Sequence, residues 1–104
     1  MTDKELLEWA AKAAGIEHPG GDHSTSNDRR LWDCKGLRWW NPLTDDGDAL
    51  RLAVKLQLDL WIGHELVWAR SEIMSSEETY QGDPYAATRR AVVRSAAEIG
   101  KEMK

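Results

Sequence analysis

Apolar residues recur along this chain with two different periods, and the switches between them mark out its elements. Thr2-Asp3-Lys4-Glu5 forms a capping box, in which the Thr2 hydroxyl accepts from a first-turn amide while Glu5 reaches back to the cap. Leu6, Trp9, Ala10 and Ala13 follow at helical spacing and Gly15 supplies a stop, so residues 2–14 are predicted as a short amphipathic helix. Residues 17–30 (EHPGGDHSTSNDRR) carry no apolar period and read as a polar loop. The runs LWDC and LRWW flank Lys35-Gly36 and read as a β-hairpin, ended by Asn41-Pro42 because proline cannot donate to a ladder. Thr44 or Asp45 then caps a helix over 45–57, with Ala49, Leu52, Ala53 and Leu56 as its buried stripe.

LDLWI (58–62) and ELVWARSEI (65–73), joined at Gly63-His64, read as a second hairpin. Alternation puts Leu66 and Trp68 on one face of its second strand and Val67 and Ala69 on the other. Residues 74–83 (MSSEETYQGD) read as a second polar loop. Asp83 and Pro84 open the last helix as cap and first helical position, and Thr88, Val92, Ser95, Ala96, Ile99 and Met103 give it an apolar stripe that pairs with nothing local. The order α-β-β-α-β-β-α predicts one α+β domain over residues 1–104: a small antiparallel sheet of two hairpins packed with three helices.

Composition supports a folded domain, with 41% apolar and 31% charged residues in 104. Net charge is −4, which argues against general nucleic-acid binding through phosphate neutralisation. The acidity sits in residues 1–50, with ten Asp/Glu against six Lys/Arg; residues 51–104 hold eight of each. An acidic half can face a basic partner or merely be a solvated surface. The single Cys34 allows no internal disulfide, Asp3, Glu5 and Glu8 stand where a leader would be apolar, and no uncharged run is long enough to span a bilayer. A cytoplasmic protein without a membrane partner is expected.

Catalytic templates fail. The chain has no G-x-S-x-G, no phosphate-loop G-x-x-x-x-G-K-[ST] and no dinucleotide G-x-G-x-x-G. A lone Cys34 between strand residues reads as a packed side chain. His18, Asp22, His23 and Cys34 lack the paired spacing of zinc sites. Asp45-Asp46-Gly47-Asp48 lacks the length and closing glutamate of a calcium loop, and reads as an acidic first helical turn. No enzyme, metal site or cofactor is expected.

The chain has six Trp, two Tyr and no Phe. In Arg38-Trp39-Trp40-Asn41, strand alternation sends the two indoles to opposite faces, one to the core and one available to a ligand. Trp61 and Trp68 could complete an aromatic wall, on which a stacked base gains about 1–3 kcal/mol, with Asn41 bonding its edge. The structural alternative is that these indoles replace the missing Phe in the core. At the start of the last helix, free amides and Arg89, with Tyr85 and Thr88 beside it, could hold a phosphate. Arg90 and Arg94 oppose the apolar stripe; Arg90 joins the candidate set, and Arg94 is expected to pair with Glu98.

Two stretches, WNPLTDDGDALRLAVKL (40–56) and YAATRRAVVRSAAEIG (85–100), together resemble small tailed-bacteriophage proteins grouped as NinX-like or phage ABA-sandwich domains. In those an aromatic-Asn-Pro turn leads into a helix, and a Thr-Arg-Arg-Ala-type helix closes the chain. The resemblance covers about a third of the residues and implies a phage accessory protein in the host bacterial cytosol. Combined with the Trp wall and the Arg-bearing helix start, it points to a non-catalytic counter-defence protein that sequesters a nucleotide-type immune signal, ADP-ribose-like or cyclic. The alternative is an inhibitor of a host defence or regulatory protein, acting through an acidic, Trp-bearing surface. A homodimer that shares the site is compatible with either.

Overall fold

The helices start where the sequence places their caps. In the computed structural model, which describes residues 2–16, 31–33, 38–72, 75–80 and 82–103, α1 (Asp3–Ala14) opens on the Thr2 capping box. The Glu5 amide donates to Thr2 Oγ1 at 3.2 Å and the Thr2 amide to Glu5 Oε1 at 3.3 Å. Gly15 ends α1 at φ 73°, a left-handed conformation that closes the last turn. α2 (Asp46–Lys55) is capped by Asp45, which accepts from the Asp48 amide at 2.7 Å. α3 (Pro84–Glu102) is capped by Asp83, with Pro84 in its first turn.

The strands differ from expectation. β3 (Asp59–Ile62), β4 (Leu66–Arg70) and β5 (Ser75–Thr79) form one antiparallel sheet in the order β3-β4-β5. β5 falls inside residues 74–83, where the sequence predicts a loop. Its sequence, Ser75-Ser76-Glu77-Glu78-Thr79, has no apolar residue, so hydrophobic alternation could not reveal it. Main-chain bonding to β4 makes it a strand, and the one position it buries is Ser76. The Ser95 hydroxyl, from α3, donates to the Ala69 carbonyl at 2.9 Å and hydrogen-bonds the Ser76 hydroxyl at 3.0 Å. β1 (Leu31–Asp33) and β2 (Arg38–Trp40) lie antiparallel to each other, apart from that sheet. The expected single sheet of two hairpins is therefore corrected to a three-stranded antiparallel sheet with three helices, still an α+β fold. The loop 17–30, the turn at Lys35-Gly36, and Cys34 lie outside the described residues.

α3 is the centre of the molecule. The sequence predicts its stripe as Thr88, Val92, Ser95, Ala96, Ile99 and Met103, yet Ala87, Ala91, Val93, Ala97 and Gly100 are buried too, while Met103 is exposed. The stripe is wide because α3 packs on α1 along one flank and on the sheet and α2 along the others. Small residues make this possible. A Cβ on Gly100 would lie 2.0 Å from the Trp9 carbonyl oxygen, so only glycine lets the two backbones come this close. Val67 and Ala69 close the core from the sheet side, and Leu6, Leu7, Ala10, Leu52 and Ala53 from the other helices.

Candidate functional site

Between α2, β3 and the first turns of α3 lies an open groove of about 490 Å³. Ala49 and Leu50 come from α2, Leu60 and Ile62 from β3, and Pro84, Tyr85 and Val92 from α3. The wall is apolar because each element sends there the alternate or i, i+4 residues its own period provides. Leu50, Ile62 and Tyr85 are exposed at 61%, 58% and 67%, although hydrophobic residues of that size are normally covered when they cluster. The polar members are Asp46, Thr88 and Arg89.

All three are engaged. Arg89 is largely buried; its Nε donates to the Leu43 carbonyl at 2.8 Å and its Nη1 to Asp46 Oδ1 at 2.6 Å. It clasps α3 to the turn before α2, and its charge is neutralised there. The Thr88 hydroxyl donates to the Pro84 carbonyl at 2.7 Å, one turn back. The amides of Tyr85 and Ala86, the donors expected to face a phosphate, are accepted by the Asp83 carboxylate at 3.0 and 3.2 Å. A carboxylate thus already occupies the positive end of α3.

The other candidate residues lie elsewhere. Trp40 is 3% exposed and belongs to the core, whereas Trp39 faces outward at 37%. Asn41 is buried: its Oδ1 accepts from the Leu43 amide at 2.9 Å, shaping the Asn41-Pro42 turn. Its amide donates to Asp48 Oδ2 at 3.0 Å. Arg38 pairs with the same Asp48 at 3.0 Å, and Arg51 donates to it at 2.7 Å. Arg90 bridges to Asp3 at 3.1 Å. Arg94 does not pair with Glu98; it reaches Glu78 at 3.0 Å and the Glu77 carbonyl at 3.1 Å, tying α3 to β5.

Trp61 and Trp68 are cross-strand partners on the outer face of the sheet, with rings 6.5 Å apart and 12° from parallel. The Arg70 guanidinium lies 4.7 Å from the Trp68 ring and 3.7 Å from Asp59. Val67 and Ala69, which flank Trp68 in sequence, point to the core, so the Trp61–Trp68 pair and Trp40 occupy opposite faces. Of the expected aromatic wall, Trp61 and Trp68 stack on each other, and the outward indole of the Trp39-Trp40 pair is Trp39. The fold brings Tyr85, Thr88 and Arg89 together at the mouth of the groove, Arg38 and Asn41 at Asp48, and Trp61 with Trp68.

Sequence reading missed Leu50, Leu60 and Ile62 as site residues. Leu50 stands off the buried stripe of α2, which is the one signal that could have marked it. It also missed Asp48 as the buried acceptor that joins β2, the Asn41 turn and α2. Among the described residues no group of three or more His, Cys, Asp or Glu is placed to hold a metal, and the His18, Asp22, His23 and Cys34 set lies outside them. No helix among the described residues is long and apolar enough to cross a membrane. No family model, curated protein or solved structure matches the chain.

Proposed function

We propose that this is a non-catalytic binding protein that holds apolar side chains of a partner protein in the groove between α2, β3 and α3. One observation carries the reading: the groove is lined by exposed Leu50, Ile62 and Tyr85, while Arg89, its one cation among the described residues, and its helix-end amides are already bonded within the chain. A phosphorylated nucleotide would have to displace Asp46 from Arg89 and Asp83 from the α3 amides, both charge-assisted bonds. An apolar partner displaces only water, which is favourable by about 25 cal/mol for each Å² of apolar surface covered. The volume suits two or three side chains of an amphipathic helix or strand. On the resemblance to phage accessory proteins, the partner is a host defence or regulatory protein, and binding blocks it.

Sequestration of an ADP-ribose-like or cyclic nucleotide remains the competing reading, and one pair of titrations separates the two. With the partner reading, Trp fluorescence stays flat across mono-, di- and cyclic nucleotides and ADP-ribose derivatives. A host protein is then recovered on immobilised protein and lost with Leu50→Asp or Tyr85→Asp. Saturable nucleotide binding that Arg89→Ala abolishes would overturn the proposal.

A further inference from the structure

The two edges of the sheet are not equivalent. The Gly63 amide donates to the Leu66 carbonyl at 2.9 Å, which makes 63 and 66 a hydrogen-bonded pair. With Trp61 opposite Trp68 and Asp59 opposite Arg70, residues 59, 61 and 63 therefore direct their backbone groups at β4. The N–H and C=O of Leu60 and Ile62 point the other way, out of the sheet. The far side of β4 agrees: the Tyr80 amide donates to the Glu65 carbonyl at 3.0 Å, so odd-numbered β4 residues bond β5 and even-numbered ones bond β3.

At the β5 edge the outward carbonyl of Glu77 is covered by Arg94, and Glu77 and Glu78 stand beside it. Charges and covering side chains of this kind are how edge strands avoid pairing. β3 has neither. Among the described residues nothing bonds the outward groups of Leu60 and Ile62. Among the described residues, five of the seven large exposed hydrophobics, Leu50, Val54, Trp61, Ile62 and Tyr85, belong to β3 or to the helices that wall the groove beside it.

We propose that β3 pairs antiparallel with β3 of a second copy, centred on Trp61, to make one continuous six-stranded sheet across a two-fold axis. The register follows from the free groups. Leu60 opposite Ile62 of the second copy, and the reverse, exchanges four main-chain bonds and uses no group already bonded. Centring on Leu60 instead would require the Leu58 amide, which the Ala53 carbonyl holds at 3.0 Å. In the chosen register Asp59, the one charge on β3, meets Gly63 rather than another carboxylate. Trp61 meets its own copy on the outer face and lengthens the Trp61–Trp68 pair into a row of four indoles. On the opposite face, Leu60 and Ile62 of both copies run together and set the two grooves side by side.

This inference stands apart from the partner reading, because a dimer can form whether or not the groove binds a host protein. Sedimentation equilibrium from about 1 to 500 µM tests it. The expected mass rises to twice the 11.8 kDa of the chain. Ile62→Pro removes an outward donor that no internal bond uses, so it keeps the far-UV CD spectrum and weakens association at least about tenfold. Trp61→Lys sets two ammonium groups face to face and does the same. In a Cys34→Ser background, Trp61→Cys cross-links into a dimer on mild oxidation, since residues opposite each other at a non-hydrogen-bonded position have Cα atoms only about 4.5 Å apart. Asp59→Cys does not cross-link. A monomer throughout the range, or a dimer indifferent to both Ile62→Pro and Trp61→Lys, refutes the assignment.

Discussion

At the scale of single residues, the functions of several side chains are set by what lies within 3 Å of them. Arg89 is the clearest case. As a residue on a helix it is a cation near a helix start; in the fold it bonds Leu43 and Asp46 and becomes a clasp. Asn41 changes in the same sense, from a candidate ligand to the residue that shapes the turn into α2. Gly100 shows how little freedom some positions have. Gly100→Ala places a methyl inside the Trp9 carbonyl, and α1 and α3 must separate to admit it. Overpacking of this kind costs about 1–3 kcal/mol. Urea denaturation should show that loss with the slope unchanged, whereas a neutral result would mean that α1 does not lie against α3 as described.

Elements add an effect that no single residue carries, because a helix end collects several orphan amides at once. At α1 the Thr2 capping box holds the Glu5 carboxyl below the usual carboxylate range, chiefly through the hydrogen bond from the Thr2 amide and then that from the Thr2 hydroxyl. A depressed folded-state value contributes stability above the unfolded value and loses it as pH falls through the folded one. The contribution of the box is therefore present at pH 7 and disappears in the acid range below the ordinary Glu value. Thermal melts of the wild type and Glu5→Gln should differ at pH 7 and converge as the pH falls below the ordinary Glu value. A difference that persists unchanged at low pH would place the effect outside Glu5 ionisation.

The element scale also explains which parts of the fold could be read in advance. α1, α2 and α3 announce themselves through caps and a 3.6-residue period, and Asp45, Asp83 and Gly15 stand at the ends assigned to them. β5 gives no such sign. A strand made of Ser, Glu and Thr is stabilised by the carbonyls and amides of its neighbour, and main-chain groups are the same in every sequence. The separation of β1 and β2 from the sheet is invisible for the same reason: two runs of alternating residues specify strands without specifying which strand each one meets.

Across the whole molecule, one cluster of buried side chains joins all three helices to β2 and β4. Leu7, fully buried on α1, sits in it with Val67, Val92 and Val93. Leu7→Ala leaves a cavity and should cost about 2–5 kcal/mol. Because the core is shared, far-UV CD and Trp fluorescence should lose structure in a single coincident transition, at a lower midpoint than the wild type. Two separated transitions would show that the sheet and helices unfold independently. The same view of the molecule locates its unfinished surface, which runs from the groove mouth at Tyr85 and Leu50 across Ile62 to the free edge of β3.

By itself the sequence determined the three helices, their caps, the inward face of α2, the two alternating faces of β4, and the division of Trp39 from Trp40, because all of these follow from local bonds and the period of one element. It also named Tyr85, Thr88 and Arg89 together, since a helix start is a local feature. Only the tertiary structure decided what those residues face. It set Asp46 against Arg89 and Leu50 across from Ile62. A charge is available to a ligand only when nothing in the fold reaches it first, and the carboxylate that reaches Arg89 comes from a helix 43 residues away in sequence.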